Sequence, residues 1–253
     1  MRTLVIIPAY NEQAALPGTL AELRGTHPEL DIVVVSDGST DDTADLARKV
    51  GVEVLELPFN LGIGGALRTG FLYAVREGYD AAVQFDADGQ HDPNGIADLL
   101  APIAGGANMV VGSRFAESSS HYEVSGARRG AMGLLRVAVQ LLAGRTFTDT
   151  SSGFRAFDRE VLQFFARNYP SEYMESVESL ILANLEGFDV VEVPANMRER
   201  SAGLPSARRF RLAYHYLRLL LVLGAGFRRK PRPAPRPQPD ALSAGDPAPQ
   251  VHR

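Results

Sequence analysis

The chain contains no cysteine among its 253 residues. This absence excludes a disulfide framework, a thiolate metal site and a cysteine nucleophile, and it fits a reducing compartment. Long hydrophobic runs are also missing. The longest nearly uncharged apolar stretch, Leu219–Phe227, has nine residues, whereas roughly 20 are needed to span a bilayer. The first residues show no signal-peptide pattern, so we expect a soluble or peripheral protein.

Acidic residues are missing from one part of the chain. Between Ser201 and Pro239 there is no Asp or Glu. The same segment carries nine positive charges, on Arg208, Arg209, Arg211, Arg218, Arg228, Arg229, Lys230, Arg232 and Arg236. With a net charge of −4, the rest of the chain carries −13 (−4 minus +9). A basic end on an acidic body predicts contact with an anionic partner, either a membrane or a nucleic acid.

Short apolar runs alternate with helical patterns over the first half of the chain. The predicted strands are Thr3–Ile7, Asp31–Ser36, Val52–Leu57, Ala81–Phe85 and Asn108–Gly112, and the predicted helices are Ala14–Arg24, Asp41–Val50, Gly64–Arg76 and Pro93–Ile103. We interpret Ser39–Asp42 as a capping box and Asp92 as a cap before Pro93. This alternation predicts an α/β fold with a mainly parallel sheet, whose ligands bind at the carboxyl ends of the strands.

The second half continues the pattern and then changes in composition. We predict helices at Arg128–Ala143, Glu175–Glu186 and Ala207–Phe227, and strands at Gly153–Phe157 and Phe188–Val193. The helix from Ala207 has an apolar stripe edged by arginines, which is typical of a helix lying in the headgroup plane of an anionic membrane. The last 23 residues contain seven prolines. We therefore predict a folded domain over residues 1–206, a basic amphipathic membrane-interface helix over 207–230 and a disordered tail over 231–253.

The strongest chemical signal is the run Phe85-Asp-Ala-Asp-Gly-Gln-His-Asp-Pro93, which follows an apolar strand. Two carboxylates at positions i and i+2 converge on one ion only if the chain turns, and Gly89 permits such a turn. Mg²⁺ and Mn²⁺ prefer oxygen ligands and commonly combine a few carboxylates with substrate phosphates. Asp86, Asp88 and the amide oxygen of Gln90 are therefore the predicted metal ligands. The alternative is a solvated acidic loop in which Asp92 only caps a helix.

Two further loops follow strands, and a glycine cluster lies between them and the acidic loop. Pro8-Ala-Tyr-Asn-Glu12 offers an aromatic face, and Asp37 can accept hydrogen bonds from a base or ribose, although each stretch is also ordinary turn chemistry. The cluster Gly62, Gly64 and Gly65 matches neither a dinucleotide fingerprint nor a P-loop. We predict that it lets a helix pack closely on the sheet.

Together these loops resemble family 2 glycosyltransferases with the GT-A (Rossmann-like) fold, in particular the polyprenyl-phosphate, dolichyl-phosphate mannose synthase-like branch. The resemblance covers roughly Thr3 to Ser206. It rests on Val5-Ile-Ile-Pro-Ala-Tyr-Asn-Glu12, Asp37-Gly-Ser-Thr-Asp41, Asn60-Leu-Gly-Ile-Gly-Gly-Ala66, Asp86-Ala-Asp-Gly-Gln90, Gly112-Ser-Arg114, Ser152-Gly-Phe-Arg155 and Arg200-Ser-Ala-Gly203. In this family a lysine usually follows the serine of an Arg-x-x-Gly-x-Ser stretch. Here Ala207 follows Ser206, which weakens the expected acceptor contact at Ser206.

The resemblance implies roles for individual residues. Pro8, Tyr10, Glu12 and Asp37 would hold the nucleoside. The acidic loop, Asp86, Ala87, Asp88 and Gln90, would hold the diphosphate together with Mg²⁺ or Mn²⁺. Donor or acceptor phosphates would be contacted by Arg114, Arg128 and Arg200. On the acceptor side Asp149 would act as a base or would orient the substrates.

The implied reaction is inverting transfer of a sugar from a GDP- or UDP-linked donor to a polyprenyl phosphate, with Asp88 and Asp149 as the catalytic residues. A hydroxyl acceptor on a glycan or glycolipid is the alternative. We expect the protein at the cytoplasmic face of a membrane or in the cytoplasm, where a separate membrane protein is a candidate partner. A sugar-1-phosphate nucleotidyltransferase should begin with a glycine-rich loop carrying Arg and Lys, whereas the first loop here is Pro8-Ala-Tyr-Asn-Glu12. A nucleic-acid-binding protein would leave the acidic loop unexplained. We therefore expect no nucleic-acid partner.

Overall fold

The computed structural model of the chain describes residues 1–115, 140, 145–170 and 175–198. One seven-stranded sheet dominates this part of the chain. Its strands are β1 (Thr3–Ala9), β2 (Asp31–Ser36), β3 (Glu53–Glu56), β4 (Ala81–Gln84), β5 (Met109–Ser113), β6 (Arg155–Asp158) and β7 (Val190–Pro194). The strand order is β3-β2-β1-β4-β6-β5-β7. Only β6 runs antiparallel to its neighbours, so the predicted α/β fold with a mainly parallel sheet is confirmed.

Six helices connect or flank the strands in the described residues. They are α1 (Leu16–Thr26), α2 (Thr43–Lys49), α3 (Ile63–Arg76), α4 (Ile96–Ala104), α5 (Arg159–Asn168) and α6 (Glu175–Glu186). A short 3₁₀ turn at Pro93–Gly95 precedes α4. None of the helices in these ranges has the length and apolarity needed to cross a membrane.

Both faces of the sheet are covered along β1, β2, β4 and β5, which explains the consecutive apolar residues in those strands. Successive residues of β1 point to opposite faces: Leu4 and Ile6 lie in one core cluster, and Val5 and Ile7 lie in the other. The first cluster also contains Phe71 of α3, Phe165 of α5 and Leu180 of α6. The second contains Leu20 of α1, Ala47 of α2 and Leu99 of α4.

One local prediction was wrong, and one helix was not predicted. The capping box at Ser39–Asp42 does not form, because α2 begins at Thr43 and its cap residue Asp42 makes no side-chain capping bond. The Ser39 hydroxyl instead accepts a hydrogen bond from the Asn11 amide. Helix α5 was not predicted, although Asp158 caps it by accepting a hydrogen bond from the Val161 amide. The cap predicted at Asp92 is confirmed, since its side chain accepts from the Asn94 amide.

Close packing of α3 on the sheet depends on a glycine outside the predicted cluster. A Cβ at Gly70 would lie 2.4 Å from Cγ2 of Ile6 in β1. A Cβ at Gly65 would instead meet Leu61 in the loop before the helix, at 2.5 Å. Gly62 adopts a φ of 82° at the helix start, which favours glycine. Gly62 and Gly65 therefore shape the entry to α3, and Gly70 allows the helix to approach the sheet.

Several predictions concern residues outside the described ranges. These are the helix at 128–143 apart from residue 140, the helix at 207–227, the tail at 231–253, and the residues Arg128, Arg200 and Ser206. They stay predictions.

Candidate active site

The three predicted loops meet at one edge of the sheet. Strands β2, β1 and β4 are neighbours and run parallel. Their carboxyl ends therefore lie side by side, and the loops that follow Ala9, Ser36 and Gln84 leave the sheet at the same edge. This is the position at which α/β folds bind ligands.

Side chains and backbone amides join the first two loops. Asn11 has a φ of 54°, a conformation that asparagine tolerates. Its side-chain oxygen accepts a hydrogen bond from the Thr40 amide at 2.8 Å, and the Glu12 amide donates to the Thr43 hydroxyl at 2.9 Å. Tyr10 directly precedes Asn11 in the chain and has 47% of its surface exposed. The frame thus holds Tyr10 at the edge of the site.

Asp37 is buried where three segments meet. Its amide donates to the Ala9 carbonyl at 2.8 Å, and its Oδ1 accepts from the Leu61 amide at 2.7 Å. A Cβ at the next residue, Gly38, would lie 2.5 Å from the backbone carbon of Phe59, so the 59–62 loop closes directly over this turn. Burial raises the pKa of the Asp37 carboxyl above its usual value, although hydrogen bonds from backbone amides oppose the change.

The acidic loop turns immediately after β4. Gly89 adopts a φ of 75°, as its predicted role in the turn requires. Asp88 is 4% exposed, and its Oδ1 accepts from the Gln90 amide at 3.0 Å. The Asp86 side chain is 30% exposed. The negative charges of Asp86 and Asp88 both act to raise the pKa of His91, so both carboxylates lie in its neighbourhood.

His91 is fully buried beneath the carboxylates. Its Nδ1 accepts a hydrogen bond from the Asp86 amide at 3.1 Å. The ring stacks on Phe154 at a centroid distance of 4.8 Å, and Phe85 meets it edge-on at 5.2 Å. Burial lowers the pKa of His91 despite the neighbouring carboxylates, which favours the neutral imidazole. A neutral ring that accepts at Nδ1 carries its proton on Nε2.

The chain that leaves β7 is tied to the acidic loop through Arg198. The Arg198 amide donates to the Gln90 carbonyl at 2.8 Å, and the Gln90 side-chain nitrogen donates to the Arg198 carbonyl at 3.3 Å. The Arg198 guanidinium pairs with Asp92 at 3.1 Å and with Glu22 at 2.6 Å. Because the Gln90 amide uses its nitrogen here, the predicted role of its oxygen as a metal ligand is compatible with this contact.

Arg114 and Asp149 form a bidentate ion pair beside the acidic loop. Arg114 Nε lies 2.6 Å from Asp149 Oδ2, and Arg114 Nη2 lies 2.8 Å from Asp149 Oδ1. The Asp149 side chain is fully buried, and that of Arg114 is 12% exposed. Burial acts to raise the pKa of Asp149, but the hydrogen bonds and charge of Arg114 outweigh it, so the pKa is lowered. Asp149 is therefore an ionised carboxylate and a weak base.

The loop that carries Asp149 is anchored to the neighbouring strands. Glu192 of β7 accepts hydrogen bonds from the amides of Thr148 and Asp149, each at 2.9 Å or less. The hydroxyls of Ser113 and Thr148 lie 2.6 Å apart. Glu192 was not predicted from the sequence, because its role depends on β5 and β7 being adjacent, and no local pattern marks that pairing.

Two further buried charged residues are Arg155, at the start of β6, and Glu175, at the start of α6. Arg155 is completely buried and donates to the Ser152 carbonyl at 2.7 Å and to the Ser179 hydroxyl at 2.8 Å. Burial raises the pKa of the nearby Glu175 to about 7. The positive charge of Arg155 acts in the opposite direction on Glu175 but does not offset its burial.

The acidic loop fits a divalent cation by its donor chemistry. Among the described residues, no group of three or more His, Asp or Glu side chains forms a complete metal cage. Two carboxylates after a buried strand, next to an amide side chain, instead match the partial ligand set that Mg²⁺ and Mn²⁺ complete with substrate phosphates. The metal roles of Asp86, Asp88 and Gln90 stay predictions.

The structure brings most of the predicted site residues to one edge. Pro8, Tyr10, Glu12 and Asp37 lie on the β1 and β2 side, and the acidic loop with Ala87 lies after β4. The Arg114–Asp149 pair follows β5 and precedes β6. His91 had no predicted role, although its place inside the acidic run puts it close in sequence to both carboxylates.

Comparison with known proteins gives a consistent result. The model of the family described as "Glycosyl transferase family 2" matches residues 4–165. The chain is 33% identical over 211 residues to polyprenol monophosphomannose synthase of Mycolicibacterium smegmatis, covering 80% of each chain. It is 33% identical over 210 residues to undecaprenyl-phosphate mannosyltransferase of Micrococcus luteus, covering 80% of this chain and 86% of the relative.

A solved structure supports the GT-A fold. It is glucosyl-3-phosphoglycerate synthase from Mycobacterium tuberculosis in complex with Mn²⁺, uridine diphosphate and phosphoglyceric acid. The TM-score is 0.66 at 21% identity, covering 88% of this chain and 78% of that chain. With the family match and the relatives above, the chain belongs to glycosyl transferase family 2.

Proposed function

We propose that the chain transfers a sugar from a GDP- or UDP-linked donor to a polyprenyl phosphate, with inversion at the anomeric carbon. The names of the Mycolicibacterium and Micrococcus relatives support this class of acceptor. One observation favours it over a hydroxyl acceptor: the buried Asp149 carboxylate is bound on both oxygens by Arg114. A hydroxyl group needs a base to remove its proton, and Asp149 is a weak one.

A phosphate acceptor needs no such base. A phosphate monoester has a second pKa of about 6, so it is ionised near neutral pH. One of its oxygens attacks the anomeric carbon, the bond from that carbon to the donor diphosphate breaks, and the bonding electrons leave with the nucleoside diphosphate. In this mechanism Asp149 orients Arg114, and Arg114 contributes positive charge beside the reacting phosphates.

Different loops at the sheet edge would bind the nucleoside and the diphosphate of the donor. Tyr10 and Asp37 would contact the nucleoside, together with Pro8 and Glu12. Asp86, Asp88 and Gln90 would hold Mg²⁺ or Mn²⁺ and the diphosphate. A bound divalent cation supplies charge neutralisation for the leaving diphosphate. The Mn²⁺ in the related synthase structure supports this assignment at the level of the fold.

The acceptor proposal is tested by supplying donor with polyprenyl phosphate and, separately, donor with a glycan. We expect transfer to the lipid phosphate alone, and transfer to the glycan alone would contradict the proposal. Asp88→Asn keeps an oxygen that can accept from the Gln90 amide but removes the negative charge. We expect it to abolish transfer without unfolding the chain, whereas Asp98→Asn on the exposed side of α4 should behave as wild type.

We also propose that residues 207–230 bind an anionic membrane as an amphipathic helix after the catalytic domain of 1–206, with 231–253 as a tail. The nine positive charges between Ser201 and Pro239 support this proposal. Such binding would place the active site at the cytoplasmic face, within reach of a lipid carrier, and a separate membrane protein could assist it. A chain ending at Ser206 should lose flotation with anionic vesicles, and full flotation of that variant would count against the helix.

A further inference from the structure

The two nitrogens of His91 face two different parts of the same residue. Nδ1 accepts the Asp86 backbone N–H at 3.1 Å. Nε2 lies 3.5 Å from Oδ2 of the Asp86 side chain. Nε2 is buried and makes no hydrogen bond to any of the described residues. A buried donor in this situation carries a desolvation cost unless a partner approaches it.

The His91 ring is fixed by its surroundings, so it cannot turn towards another partner. Phe154 stacks on one face at 4.8 Å with an interplanar angle of 29°, and Phe85 meets the ring edge-on. The backbone of His91 forms a bridge with Met197 from the segment after β7. The direction of the Nε2–H bond is therefore set by packing, so a hydrogen bond between Nε2 and Asp86 depends on the orientation of the Asp86 carboxylate.

The Asp86 carboxylate is confined from another direction by Gly153. A Cβ at that glycine would lie 3.1 Å from Asp86 Oδ2 and 3.2 Å from Oδ1. The same Cβ would lie 3.2 Å from the side-chain nitrogen of Gln84. Asp86 thus lies with the imidazole near one oxygen and the backbone of Gly153 near both. Its orientation is defined by a few close neighbours.

We propose that His91 is a positioning residue whose Nε2–H directs the Asp86 carboxylate into the orientation that receives the divalent cation. This inference rests on the proposed function, because it assumes that Asp86 holds a metal. Donors that hydrogen-bond to metal-binding carboxylates fix their orientation, and losing one typically weakens metal binding by roughly 10–100-fold.

Two variants of the full chain separate the contacts of the two nitrogens. His91→Asn places an amide oxygen near the Nδ1 position, which keeps the acceptor for the Asp86 N–H but removes the donor at Nε2. His91→Gln reaches the Nε2 position with an amide nitrogen and gives up the acceptor near Nδ1. The readout is the dissociation constant of Mn²⁺, measured by electron paramagnetic resonance with saturating GDP or UDP.

We expect His91→Asn to weaken Mn²⁺ binding about tenfold or more, and His91→Gln to bind closer to wild type. A purely structural role would give the reverse order, since Asn preserves the backbone contact. Thermal unfolding in chelator reports the folding cost of each variant separately. Equal Mn²⁺ affinity of wild type and His91→Asn would overturn the inference.

The wild-type chain provides a test that needs no substitution at His91. Long-range ¹⁵N–¹H spectra should show the proton on Nε2, and its resonance should move downfield when Mg²⁺ and nucleotide are added, as Asp86 Oδ2 comes closer. A proton on Nδ1, or an Nε2–H signal unchanged by Mg²⁺, would refute the proposal. A wild-type chain that binds no Mn²⁺ with either nucleotide would instead contradict the proposed function.

Gly153→Ala provides an independent perturbation of the same carboxylate. The added methyl would press on Asp86 at 3.1 Å, so we expect weaker Mn²⁺ binding with an intact His91. The matched control is Gly25→Ala, where an added Cβ meets nothing within 4 Å. If both alanine variants bound Mn²⁺ as wild type does, Asp86 orientation would not limit metal binding and the inference would fail.

Discussion

Asp149→Asn separates an orienting role from a basic one. The substitution keeps the shape of the side chain but removes its charge, and one of its two contacts with the Arg114 guanidinium becomes an unfavourable meeting of two N–H donors. Removing one partner of a buried ion pair costs about 3–5 kcal/mol. Arg114 is 12% exposed and also donates to the Ser151 hydroxyl, so we expect the lower end, about 3 kcal/mol.

A loss of that size is measurable by equilibrium unfolding in urea. For a domain of 150–250 residues it corresponds to a fall in melting temperature of about 6–12 °C. The double variant Arg114→Met with Asp149→Asn should recover part of the loss, because it removes the unpaired buried charge. A loss below about 1 kcal/mol in Asp149→Asn, or strictly additive effects in the double variant, would refute the buried ion-pair argument.

The kinetic result distinguishes the two roles. If Asp149 orients Arg114, Asp149→Asn should raise the KM for the lipid phosphate and leave the pH profile of kcat unchanged in shape. If Asp149 is the base, the variant should retain its KM and lose kcat by roughly 100-fold or more. The second outcome would also reopen the hydroxyl-acceptor alternative.

Two further predictions concern the fold around the site. Gly70→Ala should destabilise the chain by about 1–3 kcal/mol through overpacking against Ile6, even though alanine favours helices. A fall in melting temperature as small as that of Gly25→Ala would contradict the overpacking. Burial raises the pKa of Glu175 to about 7 from its ordinary 4.5, so between these values the folded chain holds a proton that the unfolded chain releases. Stability should therefore fall as pH rises through this window. Glu175→Gln should lack this decrease in urea denaturation at pH 5 and pH 7.5, and equal slopes for the two chains would argue against it.

Local pattern was sufficient for most of the fold. Apolar runs marked β1, β2, β4 and β5 because both faces of the sheet are buried there, so consecutive residues in a run are apolar. The cap at Asp92 was also predictable, since an aspartate before Pro93 satisfies amides within one turn. The capping box at Ser39–Asp42 failed because Ser39 pairs with Asn11, a contact between loops that are far apart in sequence.

In the candidate site, the position of the loops was predictable from the sequence, but the partners of their side chains were not. The order of strands and helices already located the loops that carry Asp37, Asp86 and Asp88, because parallel strands place their following loops at one edge. The side-chain partners were not predictable in this manner. The pairing of Arg114 with Asp149 joins residues 35 positions apart, and the contact of Gln90 with Arg198 joins residues 108 positions apart.

The sequence by itself therefore determined the fold class, the family resemblance and the loops that carry the chemistry, since these depend on short-range pattern and residue type. Only the tertiary structure decided which charged side chains form ion pairs, how the His91 ring is oriented and which glycine allows α3 to pack closely on the sheet. Those properties depend on distances between segments that are remote in the chain, and burial at those contacts sets both the pKa of each group and the room available to it.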